Sequence, residues 1–554
     1  MSMVRATDAQ TLGRFFEDAA HVLGEENISR TPEHGALKGP QGEDSYGDPF
    51  STATTHQPSG AVRPKCVEEV QEVVMLANKH KVRLWTVSRG KNLGYGGSSA
   101  VVKASVILDL HRINKIIEIT EEYAYAIVEP GVLNIWASVP AIGWGSVLGN
   151  TLDRGFGYTP NGEHSQSQCG MEVVLPNGDL LRTGMGAMKD NKTFPLYKGG
   201  FGPGLDGLFY QSNLGVVTKL GIHITPAPEA YATIEVSVPR EEDLVPLVGT
   251  LSDLMRRSII LNSPSIANIF RIALMSKDPE ILAKLNRYMK SNSYVPYPVL
   301  EEIRKQQNWG FWKAYFSLYG SVEMLPALQK TIQRAFSSIP GVQIEWREFP
   351  GTPGQAITAA EIKEEEIPHS GIPTLAPLGL VDSRSGKGGA HMDYSPVIPS
   401  SGRELYEWYL TAKQRTIDSK FDFFADFHVC PRYVVGIELV IYTLKEEARM
   451  LELYKNLVQD GAKQGYMAYR THVGYMDRLA IKMDFNECAF SRFTGLMKDT
   501  LDPNGVLSPG RLSVSLWRTL LKTQASAREP DSAVIFSNIT ALITKKPVIP
   551  APSF

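Results

Sequence analysis

Cysteine is scarce in this sequence, and the few residues present form no pattern that binds metal or builds a disulfide framework. The 554 residues include 4 cysteines. They are Cys66, Cys169, Cys430 and Cys488, and they form neither a Cys-x-x-Cys pair nor part of a ligand cluster. We therefore expect free thiols in a reducing compartment and no metal site.

The sequence also lacks a strong net charge and any long apolar run. The formal net charge of −2 gives no long-range attraction to nucleic acid or to an anionic membrane. No apolar run reaches the length of about 18 residues that a membrane-spanning helix needs. The first residues lack the apolar core of a secretory signal, and the final Pro-Ser-Phe is not a peroxisomal Ser-Lys-Leu address. We therefore expect a cytosolic protein.

The sequence does contain a strand-like run that ends in a basic, glycine-rich loop. Residues 82–88 are mostly β-branched, apolar or aromatic, and glycines follow at 90, 94, 96 and 97 with Arg89 and Lys91 among them. Successive N–H groups in such a loop form a concavity that binds anions, so the loop suits a diphosphate. It suits equally a tight surface turn with solvated charges. Residues 82–97 have neither the Walker spacing nor the Gly-x-Gly-x-x-Gly spacing.

The order of helical and strand patterns predicts two kinds of folding unit. Before Pro226, short strands alternate with amphipathic helices, one near the N-terminus and one after Pro64, as in a small nucleotide-binding domain. Residues 229–465 combine longer helices with strands, which indicates an α+β substrate domain. Within it, residues 350–390 are rich in proline and glycine and are expected to form a loop.

Eight segments, in their order along the chain, resemble the vanillyl-alcohol oxidase/4-cresol dehydrogenase family of FAD-linked oxidases. Within residues 64–511 they read SRGKNLGYGG, VEPGV, GSVLGNTLDRGFGYTPNGEH, GMEVVLPNGDLLRTGMG, GPGLDGLFYQSNLGVVTK, GGAHMDYSPV, YRTH and DPNGVLSPG. The resemblance implies an α+β fold in which a split FAD-binding domain of the p-cresol methylhydroxylase type carries an α+β cap domain. We place the domains at 1–228 (FAD, first part), 229–465 (cap), 466–514 (FAD, second part) and 515–554 (tail).

The resemblance implies which residues contact FAD. The loop after the first strand would wrap the pyrophosphate, and small residues elsewhere would admit the flat ring. The implied contacts are Ser88, Arg89, Gly90, Lys91, Asn92, Leu93, Gly94, Ser146, Gly149, Asn150, Gly155, Tyr158, Gly215, Val216, Val217 and Arg511. His391, in GGAHMDYSP, matches the family position at which a histidine nitrogen is joined covalently to the flavin 8α-methyl group.

The resemblance also implies a substrate site. Tyr95, Tyr469 and Arg470 match the family's phenolate-binding trio, in which one guanidinium and two tyrosine hydroxyls favour the ionised substrate. The anion would expel a hydride from its para benzylic carbon to flavin N5 and become a quinone methide. Asp426, in FADFHV, matches a pocket position that is acidic in the cresol branch. Tyr158 is expected near the same pocket.

Two features depart from the family pattern. Ala141 stands where the family carries an aspartate near flavin N5, and a methyl group cannot accept a proton. The segment after Val132 is too short for the helix that follows EPGV in the family, and the tail after Leu512 is longer than usual. Asp426 is the carboxylate that we expect to take over part of the missing role.

The function expected from the resemblance is FAD-dependent oxidation of para-substituted phenols, namely 4-hydroxybenzyl alcohols and 4-alkyl or 4-allyl phenols. Dioxygen is the expected acceptor and hydrogen peroxide the product, and the protein is expected to form a homodimer or larger homo-oligomer. Two alternatives remain: an oxidase of carbohydrates or hydroxy acids from the same superfamily, and a catalytically impaired flavin-binding protein. The first lacks a reason for the Tyr-Tyr-Arg trio, whereas the second follows from Ala141 and the shortened segment.

Overall fold

The computed structural model describes residues 7–30, 37–38, 45–52, 54–133, 143–276, 278–290, 292–349, 351–357, 376–384 and 389–513. Three features singled out in the sequence lie outside these ranges: Ala141, most of the shortened segment after Val132, and the tail at 515–554.

The first part of the chain forms a four-stranded sheet covered by two helices. Its elements are α1 (Ala9–Leu23), β1 (Ile28–Arg30), β2 (Leu37–Lys38), β3 (Ser45–Tyr46), β4 (Gly60–Val62), α2 (Val67–His80), β5 (Leu84–Val87) and β6 (Val106–Asp109). The strand order is β1-β4-β6-β5, with β4, β6 and β5 parallel, while β2 and β3 form a separate ribbon. The apolar faces of α1 and α2 share one buried cluster with β5 and β6, which confirms both predicted amphipathic helices.

A second, antiparallel sheet follows. Its region comprises β7 (Ile116–Thr120), β8 (Tyr125–Val128), α3 (Val147–Leu152), α4 (His164–Ser167), β9 (Gln168–Val174), β10 (Leu180–Arg182) and β11 (Val216–His223). The strand order is β10-β9-β11-β8-β7. β9 and β10 form the hairpin that the Pro-Asn-Gly-Asp turn predicts, with Leu180 opposite Val174.

The third sheet has nine strands and dominates the middle of the chain. The elements are β12 (Ala230–Val238), α5 (Leu244–Arg256), β13 (Ser265–Asn268), α6 (Ile269–Met275), α7 (Pro279–Asn286), α8 (Tyr297–Gln306), β14 (Trp312–Gly320), α9 (Met324–Phe336), β15 (Gln343–Phe349), β16 (Gly389–Tyr394), β17 (Pro396–Pro399), α10 (Gly402–Asp418), β18 (Phe424–Val429), β19 (Tyr433–Thr443), α11 (Glu447–Lys463) and β20 (Met467–Ala468). The order is β15-β12-β14-β13-β18-β19-β17-β20, and β16 also pairs with β19.

Side chains alternate between the two faces of this third sheet along each strand, so one face packs in the core and the other lines a cavity. In β18, Ala425, Phe427 and Val429 point into the main apolar core, which includes residues of α5 and α10. The alternate residues of β18, among them Asp426 and His428, line a cavity on the other face. The sheet therefore separates a core from a site.

The predicted loop over 350–390 is wrong at its C-terminal end. Residues 376–383 form a 3₁₀ helix, and β16 begins at Gly389 and includes His391. The run from Gly389 to Tyr394 alternates apolar and polar side chains, and Met392 and Tyr394 join the core. That alternation is a strand pattern, which the neighbouring glycines concealed.

The last described segment returns to the first sheet. After α12 (Met476–Ala480) and α13 (Phe485–Leu501), the chain passes beside β5. The amide of Leu84 donates to the carbonyl of Val506 at 2.7 Å, and the amide of Ser508 donates to the carbonyl of Leu84 at 2.7 Å. The first sheet is thereby hydrogen-bonded to residues near the C-terminal end of the described chain.

Candidate active site

A first cavity, of about 180 Å³, lies where the glycine-rich loop after β5 faces α3, β11 and the last described residues. Its wall is held together by a pair of serines. Ser146 caps α3 by accepting from the amide of Gly149 at 3.0 Å, and its hydroxyl donates to that of Ser88 at 2.7 Å. A Cβ added to Gly149 would lie 2.2 Å from the Ser88 hydroxyl oxygen, so a larger residue there would displace the Ser88 side chain or α3.

Charged groups lie at the rim of the first cavity. Arg511 donates to the carboxylate of Asp153 at 2.5 Å and stacks over Trp85 with 5.6 Å to the ring centre. Lys91 lies 5.6 Å from the ring centre of Trp144. A cavity with a glycine-rich wall and several basic side chains suits a nucleotide diphosphate. The residues present therefore fit the dinucleotide part of FAD.

A second cavity, of about 480 Å³, lies under the open face of the nine-stranded sheet and is adjacent to the first. Strands β13, β14, β16, β18 and β19 supply its wall at alternate positions, together with residues from the glycine-rich loop and α6. The two cavities share Lys91, Asn92, Tyr95, Gly145, Asn150 and Arg470. A molecule in one cavity can therefore contact a molecule in the other.

The predicted phenolate-binding trio meets at this junction. The guanidinium carbon of Arg470 lies 4.0 Å from the Tyr95 ring centre and 5.3 Å from that of Tyr469. Arg470 Nε is buried without a hydrogen-bond partner among the described residues. No described carboxylate lies within 4.0 Å of the Arg470 guanidinium, so its positive charge has no ion-pair partner there.

The tyrosines beside Arg470 stay protonated at neutral pH. Burial raises the pKa of Tyr95 well above its ordinary value, although Arg470 opposes this shift. Burial likewise raises the pKa of Tyr469, again against Arg470. The Tyr95 hydroxyl lies 2.8 Å from the Ser395 hydroxyl. Both phenols are therefore neutral hydrogen-bonding groups next to one permanent cation.

Asp426 lies in the second cavity within a network that the sequence did not indicate. It accepts from Ser265 at 2.7 Å and from Arg271 at 2.8 Å, and His428 Nε2 lies 3.4 Å away. Burial alone would raise the pKa of Asp426, but Arg271 and His428 outweigh it and hold the pKa well below its usual range. Asp426 is thus a stable carboxylate, and its low proton affinity makes it a weak general base.

His391 faces the second cavity from β16. Its Nδ1 lies 2.9 Å from Asp393 Oδ1, and its ring centre lies 5.0 Å from that of Phe50. A Cβ added to Gly94 would lie 2.6 Å from His391 Cε1, and Gly94 has φ of +78°. Gly94 is therefore needed both for its backbone conformation and for the space that the imidazole occupies.

Most of the predicted cofactor residues line one of the two cavities. The first cavity contains Ser88, Arg89, Gly90, Lys91, Asn92, Ser146, Gly149, Asn150, Gly215, Val216, Val217 and Arg511. The second adds Leu93, Tyr158 and His391. Gly94 packs against His391 instead, and Gly155 packs against the side chain of Asn150, where a Cβ would lie 2.0 Å from Oδ1. Gly155 therefore leaves room for the side chain of Asn150 and lines neither cavity.

Several polar residues of the site were missed in the sequence. They are Asp393, Ser395, Arg271, His428 and His164, and the last contacts Asn150 Oδ1 through Nδ1 at 2.5 Å. His428 and Asp393 were within reach of sequence reasoning, because each lies two residues from a predicted site residue on a strand. Arg271 carried no such signal, since α6 and β18 are brought together only by the fold.

Comparison with known proteins shows the family to which this chain belongs. Residues 58–184 match the FAD binding domain family. The chain is 35% identical over 479 residues to the 4-cresol dehydrogenase (hydroxylating) flavoprotein subunit of Pseudomonas putida, and the match covers 83% of this chain and 89% of that protein. The chain belongs to the vanillyl-alcohol oxidase/4-cresol dehydrogenase family. It is an FAD-dependent oxidoreductase with the α+β fold of that family, as predicted.

Two solved structures of the p-cresol methylhydroxylase type match the fold closely. One is 4-ethylphenol oxidase from Gulosibacter chungangensis in complex with isoeugenol, with a TM-score of 0.82, 30% identity, and coverage of 92% of this chain and 98% of that one. The other is p-cresol methylhydroxylase with substrate bound, with a TM-score of 0.80, 31% identity and the same coverage, 92% and 98%. Across the described part of the chain, every helix is too short or too polar to span a bilayer.

Proposed function

We propose that this chain oxidises para-substituted phenols, using FAD in the first cavity and holding the phenol in the second. The main support for this proposal is the position of Arg470. This permanent cation lies at the junction of the two cavities and has no carboxylate partner among the described residues. A cation in such a place is costly unless an anion joins it. A phenolate is an anion of the right size and shape.

The three polar groups at the junction have complementary roles in this proposal. Arg470 lowers the pKa of a bound phenol by about 1–3 units, and the neutral hydroxyls of Tyr95 and Tyr469 donate to its oxygen. Because burial keeps both tyrosines protonated, they do not compete with the substrate for the role of anion. The substrate is then the only phenol of the three that ionises.

Ionisation of the substrate prepares the hydride transfer. The negative charge on the oxygen pushes electron density through the ring, which weakens a C–H bond on the para benzylic carbon. FAD held by the residues of the first cavity would supply the acceptor for this hydride, and dioxygen would take the two electrons and leave as hydrogen peroxide. The substrate becomes a para-quinone methide, to which water adds or which rearranges. Arg470 then holds the neutral product less tightly than the anion, because charge–charge attraction is lost.

The far wall of the second cavity supports a para substituent with some polarity. His428 and the Arg271–Asp426 pair lie there beside apolar Ile437 and Leu439. Asp426 can accept a hydrogen bond from a benzylic hydroxyl or from the water that attacks the quinone methide, without taking up a proton itself. We therefore propose 4-alkyl phenols and 4-hydroxybenzyl alcohols as substrates, and we assign Asp426 to orient the attacking oxygen.

Three further assignments complete the proposal. His391 is the residue that holds FAD covalently. The FAD domain is formed by residues 1–228 and 466–514 and the cap by residues 229–465, which is supported by the bonds between Leu84 and residues 506–508. The protein acts as a homodimer or larger homo-oligomer.

The experiment that tests the proposal is turnover of 4-ethylphenol, 4-cresol and vanillyl alcohol by the purified protein, followed as hydrogen peroxide release. Tyr469→Phe and Arg470→Ala are expected to lower kcat/KM by at least about tenfold each, with FAD still bound. Wild-type turnover in both variants would contradict the assigned roles. Activity on sugars or 2-hydroxy acids instead of phenols would favour the first alternative, and a flavin-free, inactive protein would favour the second.

A further inference from the structure

His391 and Asp393 form a buried pair that the reaction with phenols does not use. They stand two residues apart on β16 and therefore point to the same face of the sheet, toward the second cavity. His391 is 8% exposed and Asp393 6% exposed, and Nδ1 and Oδ1 are 2.9 Å apart. Burying a carboxylate costs free energy unless a hydrogen bond stabilises it, so the folded protein needs the contact between Asp393 and His391.

The imidazole of His391 is held in one orientation from several sides. The ring of Phe50 packs at 5.0 Å, Gly94 approaches so closely that a Cβ would lie 2.8 Å from Nδ1, and Asp393 binds Nδ1. The same Gly94 Cβ would lie 3.1 Å from Asp393 Oδ2, so the glycine-rich loop packs closely against both His391 and Asp393. The ring therefore cannot rotate without breaking these contacts.

The contact with Asp393 also fixes which ring nitrogen carries the proton. A carboxylate only accepts hydrogen bonds, so Nδ1 must donate, and Nε2 keeps its lone pair. We propose that Asp393 is the positioning residue for covalent flavin attachment: it holds His391 with a free Nε2 lone pair and stabilises the charge that the imidazole acquires when Nε2 bonds to the flavin 8α-methyl carbon. This inference rests on the proposed linkage through His391.

Covalent attachment is a two-electron oxidation of the flavin 8α-methyl group. One C–H bond of the 8α-methyl group breaks and one C–Nε2 bond forms, and the proton from the methyl group is released. The substituted imidazole is cationic until its Nδ1 proton is also released, past the Asp393 carboxylate. The two electrons left by the methyl carbon pass through the flavin ring to dioxygen, which takes up both protons and leaves as hydrogen peroxide. A carboxylate at Nδ1 favours the step because positive charge develops on the ring it touches.

Two substitutions separate orientation from charge. Asp393→Asn keeps an acceptor oxygen for Nδ1–H but removes the negative charge, whereas Asp393→Ala removes both. Asp109→Asn is the control, because it also removes a buried carboxylate, at a residue that lines neither cavity and whose hydrogen bonds come from Tyr46 and His111. His391→Ala marks the complete loss of attachment.

The measurement is the rate at which FAD becomes covalently attached when protein produced under riboflavin limitation is supplied with FAD in air. Attachment is followed by the flavin that stays with acid-precipitated protein and by the mass of the peptide that contains residue 391. Asp393→Ala and Asp393→Asn are expected to slow attachment by at least about tenfold, while Asp109→Asn attaches FAD at the wild-type rate. FAD bound without a covalent bond, measured on the same samples, shows that the variants are folded.

The outcomes separate this inference from the proposed function. Attachment at the wild-type rate in both Asp393 variants would overturn the role of Asp393 while leaving the linkage intact. Wild-type protein whose flavin is released entirely by acid would overturn both the linkage and the inference, whereas phenol turnover by that same protein would still support the proposed function. Equally slow attachment in the Asp109 variant would show a general effect of losing a buried carboxylate and would also contradict the specific role.

Discussion

The guanidinium carbon of Arg470 lies 4.0 Å from the centre of the Tyr95 ring, at the point where the two cavities join. A planar cation over an aromatic face is held in one orientation, with its edge free to bind an oxygen anion. The stacking of Arg470 on Tyr95 therefore sets the position of the oxygen of a bound phenol. Because the phenol ring is rigid, the position of its para carbon is set as well.

Arg470→Lys tests whether this geometry matters beyond the charge. Lysine keeps the positive charge but lacks the flat group that stacks on Tyr95, so we expect kcat/KM for 4-ethylphenol to fall by about 10–100-fold. The control is Arg478→Lys, which removes an exposed arginine that stacks on Tyr475 at 5.9 Å outside both cavities. Equal activity of Arg470→Lys and wild type would show that charge alone suffices.

Gly149→Ala tests the narrow wall of the first cavity. The new Cβ would lie 2.2 Å from the Ser88 hydroxyl oxygen, so the Ser88–Ser146 contact must break or α3 must shift. We expect FAD affinity to fall by at least about tenfold, measured by fluorescence titration of flavin-depleted protein. Gly249→Ala is the control, because nothing lies within 4 Å of a Cβ at that position in α5 and alanine favours a helix. Unchanged affinity in the Gly149 variant would exclude this wall from the FAD site.

Arg271 and Asp426 should be coupled in stability. Arg271→Met leaves the buried carboxylate of Asp426 without its cation, so the free energy of unfolding is expected to fall by about 3–5 kcal/mol. In the double variant with Asp426→Leu, most of this loss should be recovered, because the unpaired charge is gone. Breaking the more exposed pair of Arg304 and Glu301 by Arg304→Met should cost about 1 kcal/mol or less. Additive effects at 271 and 426 in denaturant unfolding would contradict the coupling.

Glu438 gives the protein a pH-dependent stability. Burial raises its pKa from 4.5 to about 8, although a hydrogen bond from Trp408 opposes the shift, and Oε2 has no partner among the described residues. Between these two values the folded chain keeps a proton that the unfolded chain has released, so stability falls as pH rises through that range and then levels off. The slope from this group is at most about 1.4 kcal/mol per pH unit.

The corresponding experiment compares wild type with Glu438→Gln at several pH values. Glutamine stays neutral, so the stability of the variant relative to wild type should increase steadily from pH 5 to pH 8 and then stop increasing, as measured by denaturant midpoints. A stability difference that does not change over this range would show that Glu438 ionises normally.

The sequence was most informative where local pattern decides structure. The amphipathic faces of α1 and α2, the β9–β10 hairpin and the glycine-rich loop after β5 follow from periodicity and turn chemistry, and the structure has all of them. The resemblance added the family, the fold and the cofactor. It also named Tyr95 and Arg470, which stand 375 positions apart by their numbers and which periodicity alone could not bring together.

The sequence was least informative where the fold joins distant segments. The Arg271–Asp426 pair links α6 to β18, and nothing in either segment alone indicates the other. The loop predicted over 350–390 reaches the residue before His391, yet the alternation of Ala390, Met392 and Tyr394 places His391 within a strand. A period-2 count would have shown this and would have placed Asp393 beside His391.

Oxidation of para-substituted phenols by this chain is tested most directly by anaerobic mixing of the purified flavoprotein with 4-ethylphenol while the visible flavin band is recorded. We expect rapid bleaching of that band in wild type, much slower bleaching in Arg470→Ala, and recovery of the band when air is admitted. An unbleached flavin in wild type, at substrate concentrations that saturate binding, would contradict the claim that this chain oxidises para-substituted phenols.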